Sequence, residues 1–148
     1  MILIEDSRNK IGKHNNIFKY CKDNNIEIQR KVLNVGDYML PQGTKAIDTK
    51  KDLEELANDL YRDKLAFNKK YKKCLKDGIE LVVLVEEKIN NLNELVAWVS
   101  KHSRINGRFL LEMIHTLKVS YGIKFIFCDK KDTGKILIDI LKGDNYEH

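Results

Sequence analysis

Apolar positions along this chain recur with two periods, and the switches between them mark out the elements. Residues 1–5 open apolar and predict a strand. Over 12–24, Ile17, Tyr20 and Cys21 fall at helical spacing, with Asn24-Asn25 as the stop. Ile26, Ile28 and Lys31-Val32-Leu33 return to strand alternation, and Val35-Gly36-Asp37-Tyr38-Met39-Leu40 follows. In Leu40-Pro41-Gln42-Gly43, proline in second place and glycine in fourth predict a type I turn. Residues 45–50 then read as the partner strand of a hairpin. A helix beginning near residue 51 carries Leu53, Leu56 and Leu60 on one face, and a second, over about 64–77, ends at Gly78. Leu81-Val82-Val83-Leu84-Val85 has no polar break, the mark of a strand covered on both faces. Helices are predicted at about 92–101 and 108–121, a strand at 124–128 and a last helix over about 132–142. Strands alternating with helices, plus one hairpin, predict an α/β fold with a mixed sheet and helices on both faces.

Composition narrows this picture without changing it. With 43% hydrophobic and 33% charged residues the 148-residue chain is globular in balance. One proline, no repeat and no low-complexity tract predict a single domain over 1–148. The five-residue aliphatic run at Leu81 is far short of the roughly 20 residues a membrane span needs. Met1-Ile2-Leu3-Ile4-Glu5-Asp6 has no basic lead and turns acidic at once, unlike a signal peptide, so a cytoplasmic protein is expected. Cys21, Cys74 and Cys128 form no CxxC pair, and the four histidines show no HxH or HExxH spacing. Reduced, buried thiols are expected and a Cys/His metal centre is excluded. A net charge of +5 permits a polyanionic partner without requiring one.

The chemistry concentrates on the hairpin. Asp48 and Lys50 are two apart on one strand, so their side chains leave the same face. Asp37 lies on the facing strand, where a short turn brings it beside Asp48. Two carboxylates so placed repel unless a cation lies between them, and oxygen donors favour Mg²⁺ or Mn²⁺. Such a metal polarises a phosphodiester and activates a bound water, with the lysine stabilising developing charge. The spacing is that of the PD-(D/E)xK nucleases. The competing view is a solvated hairpin with an ordinary ion pair. Asp6, at the end of the first strand, and the leucine-rich helix after Lys50 favour the site.

Asp6-Ser7-Arg8, Gly36-Asp37-Tyr38, Ile47-Asp48-Thr49-Lys50-Lys51-Asp52-Leu53 and Leu84-Val85-Glu86, in this order, resemble the nuclease domain of the XPF/Hef structure-specific endonucleases. The resemblance covers residues 1 to about 90. It implies a three-layer α/β/α, restriction-endonuclease-like fold, dependence on Mg²⁺ or Mn²⁺, and cutting of flapped, forked or branched DNA in repair or recombination. By the same resemblance Asp37 and Asp48 are metal ligands and Lys50 the catalytic lysine; Asp6 assists the metal and Arg8 orders the site or touches phosphate. The chain departs from the family's pattern at Asn9 (Glu in the family), Asp48 (Glu) and Thr49 (Arg). It also resembles stand-alone nucleases of phage type. The family's inactive partner subunits supply the alternative: a DNA-binding or dimerising module without catalysis.

DNA contacts are expected from Arg8, from Lys69 and Lys72 in the basic run Lys69-Lys70-Tyr71-Lys72-Lys73, and from Arg104 and Arg108 around a helix start. Each has a solvated face as its plain alternative. Arg62 faces the nuclease groove or pairs with Asp59 or Asp63. A homodimer is expected on the C-terminal half, because Trp98, Phe109, Met113 and Ile136-Leu137-Ile138 exceed the evident needs of one core.

Overall fold

The computed structural model describes residues 1–62, 64–144 and 146, without the side chains of residues 64 and 65. In chain order the elements are β1 (Ile2–Asp6), α1 (Asn15–Asp23), β2 (Glu27–Lys31), β3 (Tyr38–Met39), β4 (Lys45–Lys50), α2 (Leu53–Arg62), α3 (Lys64–Asp77), β5 (Glu80–Val85), α4 (Gly107–Tyr121), β6 (Lys124–Phe127) and α5 (Thr133–Leu141). They build one six-stranded sheet in the order β2-β1-β3-β4-β5-β6. The short β3 runs antiparallel to both neighbours, whereas β1–β2 and β4–β5–β6 are parallel. The mixed sheet and α/β/α layering match the sequence expectation.

Alternation along β4 and β5 divides the core. Ala46, Leu81, Val83 and Val85 face α2, α3 and α4, meeting Leu56, Leu60, Tyr71 and Leu110. Ile47, Val82 and Leu84 face α1 and α5, meeting Ile17, Cys21, Leu137 and Ile138. Each fully buried Leu, Ile or Val contributes about 1.5–3 kcal/mol of transfer free energy, so the apolar run at 81–85 anchors both layers. All three cysteines are buried and free. Burial pushes the Cys21 and Cys128 thiols up to about 11, which keeps them protonated and inert.

Three local expectations are corrected. The turn after β3 is type II: Gly43 N–H donates to Leu40 O at 3.0 Å, and Gln42 takes φ +59° at the third position. Residues 92–101 do not form an α-helix. A 3₁₀ helix over Leu92–Ala97 ends where Trp98 goes extended, and Val99 bridges Asn106. Only Leu95 of that helix is buried, so no apolar stripe holds a longer one. The chain folds back on Gly107, where a Cβ would fall 1.4 Å from Leu95 O. Third, Leu137 and Ile138 are not spare apolar surface, since α5 buries both against α1 and the sheet. Trp98 and Met113 are partly buried on the opposite layer, and of the residues expected at a dimer contact Phe109 is exposed.

Candidate active site

β4 sits centrally, and its last three residues carry polar side chains into the interior. Asp48 and Lys50 share the α2/α3 face with Ala46; Thr49 points the other way. Lys70 of α3 reaches Asp48 Oδ2 at 2.6 Å, and Lys50 Nζ lies 3.5 Å from the same oxygen. Lys50 is held more closely by Asp59 of α2, at 2.6 Å. Both ammonium groups lie 5.5 Å from the centre of the Phe67 ring. Two carboxylates and two ammoniums thus make a neutral quartet. Burial works to raise the Asp48 pKa, but Lys70 and Lys50 outweigh it and hold the carboxyl below its ordinary value. For Lys50, burial pulls down while Asp48 and Asp59 push up, and the attraction wins.

Asp37 stands one residue beyond the last rung of the hairpin, where Tyr38 pairs with Ile47. Gly36 takes φ +77°, and a Cβ there would meet Ile47 O at 2.9 Å. The glycine lets the chain press against β4, so that Asp37 N–H donates to Ile47 O at 2.7 Å. Asp37 Oδ2 accepts from Thr49 N–H at 2.8 Å and from Thr49 Oγ1 at 2.6 Å. Behind Thr49 runs a buried chain: Thr49 Oγ1 is 3.1 Å from His14 Nε2, and His14 Nδ1 is 2.7 Å from the Tyr38 hydroxyl. Tyr38 in turn donates to Glu5 at 2.6 Å. Burial lowers the His14 pKa against the pull of Asp37. His14 thus supports the Asp37 side of the site.

Asp6 is close to Asp37 through the backbone, its N–H donating to Asp37 O at 2.8 Å. Its carboxylate is engaged elsewhere. Arg8 Nε lies 3.1 Å from both oxygens, and Leu33 N–H donates to Oδ1 at 3.3 Å. Burial would raise the Asp6 pKa, but the bonds from Arg8 and Leu33 bring it below its usual value. Arg8 also donates to Leu33 O, so this pair ties β1 to the segment after β2. Glu86 accepts from Asn16 at 2.9 Å and Thr133 at 2.8 Å, which joins β5 to α1 and α5. Glu87 accepts from Leu53 N–H at 3.0 Å and caps α2.

Arg62, Lys69, Lys72, Arg104 and Arg108 are all exposed and stand outside the quartet. The suggested Arg62–Asp59 pair does not form, since Asp59 holds Lys50; Asp63 lies outside the described residues. Sequence reasoning missed Lys70 and Asp59. A signal for Lys70 existed: it is three residues after Phe67 and four before Cys74, on the stripe α3 buries.

Among the described residues no three His, Cys, Asp or Glu side chains gather closely enough to hold a metal. The donor chemistry nonetheless fits a hard divalent cation. Asp37 and Asp48 are carboxylate oxygen donors, with Asp37 Oδ2 held by Thr49 and Asp48 Oδ2 by Lys70 and Lys50.

The sequence matches the ERCC4 domain over residues 5–140. The chain belongs to this family, the XPF-type nuclease domain. Among solved structures it is similar to XPF from Aeropyrum pernix, with a TM-score of 0.71 at 17% identity, covering 96% of this chain and 64% of that one. It is also similar to XPF from Aeropyrum pernix in complex with DNA, with a TM-score of 0.70 at 18% identity, covering 95% of this chain and 63% of the other. The chain therefore spans under two thirds of those proteins' length, and the likeness establishes the fold. No curated protein sequence matches it. No described helix is long and apolar enough to cross a membrane.

Proposed function

We propose that the chain is a Mg²⁺- or Mn²⁺-dependent DNA endonuclease, selective for flapped, forked or branched DNA. One observation carries this: a central strand buries Asp48 and Lys50 on one face, with Asp37 at the facing end of the hairpin. Asp37 and Asp48 are the residues to hold the metal, which when bound polarises the phosphodiester and lowers the pKa of a water. Lys50, kept as an ammonium between Asp48 and Asp59, is placed to stabilise negative charge developing on the phosphoryl oxygens. Thr49 fixes the Asp37 carboxylate through two hydrogen bonds, with His14 and Tyr38 behind it. Water adds to phosphorus and loses a proton; the P–O bond to the leaving strand breaks, and that oxygen is released as a hydroxyl. Residues 1–148 act in this proposal as one nuclease domain inside the cell, and two copies pair by two-fold symmetry. Exposed Val96, Val99 and Val119 are apolar positions open to that pairing.

The quartet itself favours a second reading, a non-catalytic DNA-binding or dimerising module, because two lysines already neutralise Asp48 and Asp59. A cleavage panel on duplex, flap, fork and single-stranded DNA, with Mg²⁺ or Mn²⁺, separates the two. Cleavage by the wild type and none by Asp48→Asn is the expected result; binding without cleavage in either protein would establish the module. Light scattering with a mass near that of one chain would end the proposed pairing.

A further inference from the structure

α2 has two exposed flanks, and the candidate active site occupies one of them. Asp59 and Glu55 face Lys50. On the other flank Glu54 accepts from Ser100 Oγ at 2.8 Å and from Lys101 N–H, which fastens the loop before α4 against the helix. Tyr61, two turns beyond Glu54, then meets Phe109 of α4 edge to face, with ring centres 5.8 Å apart. Tyr61 is 59% exposed and Phe109 37% exposed. Together with Arg104, Ile105 and Asn106 they line a groove of about 210 Å³. Asn106 Oδ1 caps α4 by accepting from Phe109 N–H, and Arg104 is the charged side chain of this lining.

Arg104 is part of the lining, and the exposed Arg62 and Arg108 are the chain neighbours of Tyr61 and Phe109, so three of the chain's five arginines lie in the lining or next to it in sequence. Exposed ring faces beside arginine are what an unpaired nucleotide needs: the base stacks and the cations take the phosphates. A second copy of this chain is a poor occupant, because two-fold pairing would set arginines against arginines. A helix is about 10 Å wide, so the groove lies within a few nucleotides of a phosphate at Asp48 and Lys50.

We propose that the groove of Tyr61, Phe109 and Arg104 is a stacking site for an unpaired base of DNA beside the point of cleavage. This rests on the nuclease reading and adds to it a physical basis for preferring flaps or forks over duplex. The aromatic pair selects single-stranded character, while the exposed lysines bind any DNA backbone.

The test uses the intact chain in EDTA, so that binding is read without cleavage. Flap DNA carries 2-aminopurine at each single-stranded position next to the junction, and a blunt duplex of the same sequence is the reference. Wild type should change the fluorescence at one or two of these positions. Tyr61→Ala should abolish that change and weaken flap binding about tenfold while leaving duplex binding alone. Tyr61→Phe should behave as wild type. Tyr61 is largely exposed, so its removal spares the core, and a melting curve verifies that. Equal loss of flap and duplex affinity, unchanged flap binding, or a change in oligomeric mass in Tyr61→Ala each overturns the stacking site. Wild type that binds no DNA overturns the nuclease reading with it.

Discussion

β4 and β5 are adjacent, parallel and buried, yet they fill the same space with opposite chemistry. Asp48 lies beside Val83 and Lys50 beside Val85 on one face of the sheet. Val83 and Val85 are fully buried, and Asp48 and Lys50 are only 5% and 8% exposed. β5 shows that apolar residues suit this layer. Charges in such a place lose their hydration, and replacing a buried ion pair by apolar residues of similar size is often neutral or stabilising. On the proposed reading the acid and base at the end of β4 answer to chemistry rather than to folding, whereas β5 answers to folding alone.

The strongest way to break this contrast is to neutralise β4. Asp48→Asn and Lys50→Met should each lower metal-dependent cleavage of a flap substrate by about 10²–10³-fold, the range for removing one preorganised electrostatic group. Wild-type rates in either variant would show that the polar strand end is not catalytic. Stability should separate the strands next. Asp48→Asn leaves Lys70 without its buried anion and should cost about 3 kcal/mol in urea unfolding. Replacing the whole quartet, Asp48→Leu, Lys50→Met, Asp59→Leu and Lys70→Met, should recover most of that loss and remain inactive. In β5, Val83→Ala should cost about 2 kcal/mol through a cavity, with cleavage per folded molecule unchanged.

Two smaller effects sharpen the comparison. Lys70 occupies the Asp48 oxygen that faces α3, so Lys70→Met should strengthen Mn²⁺ binding, read by calorimetry, by about tenfold or 1.4 kcal/mol. Metal binding unchanged in this variant would mean that Lys70 does not compete. On the other face, His14 has its folded pKa below the unfolded value of about 6.5, so protonation favours the unfolded chain. Its contribution is complete above that value and is lost as pH falls through the folded pKa. Asp37, Glu86 and Glu5 oppose this shift and Lys13 adds to it. The urea midpoint should fall between pH 8 and pH 5 in wild type and fall less in His14→Gln.

Much of this architecture is legible in the sequence. The unbroken run Leu81–Val85 required cover on both faces, and the hairpin spacing placed Asp48 and Lys50 on one side of β4. The segment 92–101 misleads because its apolar residues repeat at helical spacing, although Leu95 is the only residue of the 3₁₀ helix that is buried. The type II turn misled because proline in second place suits both turn types, and the positive φ falls on Gln42 rather than on a glycine. Among the candidate DNA contacts, Lys69 and Lys72 stand out from the basic run by composition alone. The lysine that enters the site, Lys70, was distinguishable by its phase with Phe67 and Cys74.

The sequence by itself determined the order of elements, the two-faced core and the pairing of Asp48 with Lys50, because these follow from periods of 2 and 3.6 along a local stretch of chain. Tertiary structure decided everything that joins distant segments. It brought Lys70 and Asp59 to the end of β4, turned Asp6 toward Arg8 and Leu33, set His14 behind Thr49, and brought Tyr61 against Phe109. Local periodicity says which face a side chain leaves from. Which partner meets it there depends on how helices and loops are laid across the sheet, and that is settled by the packing of the whole core.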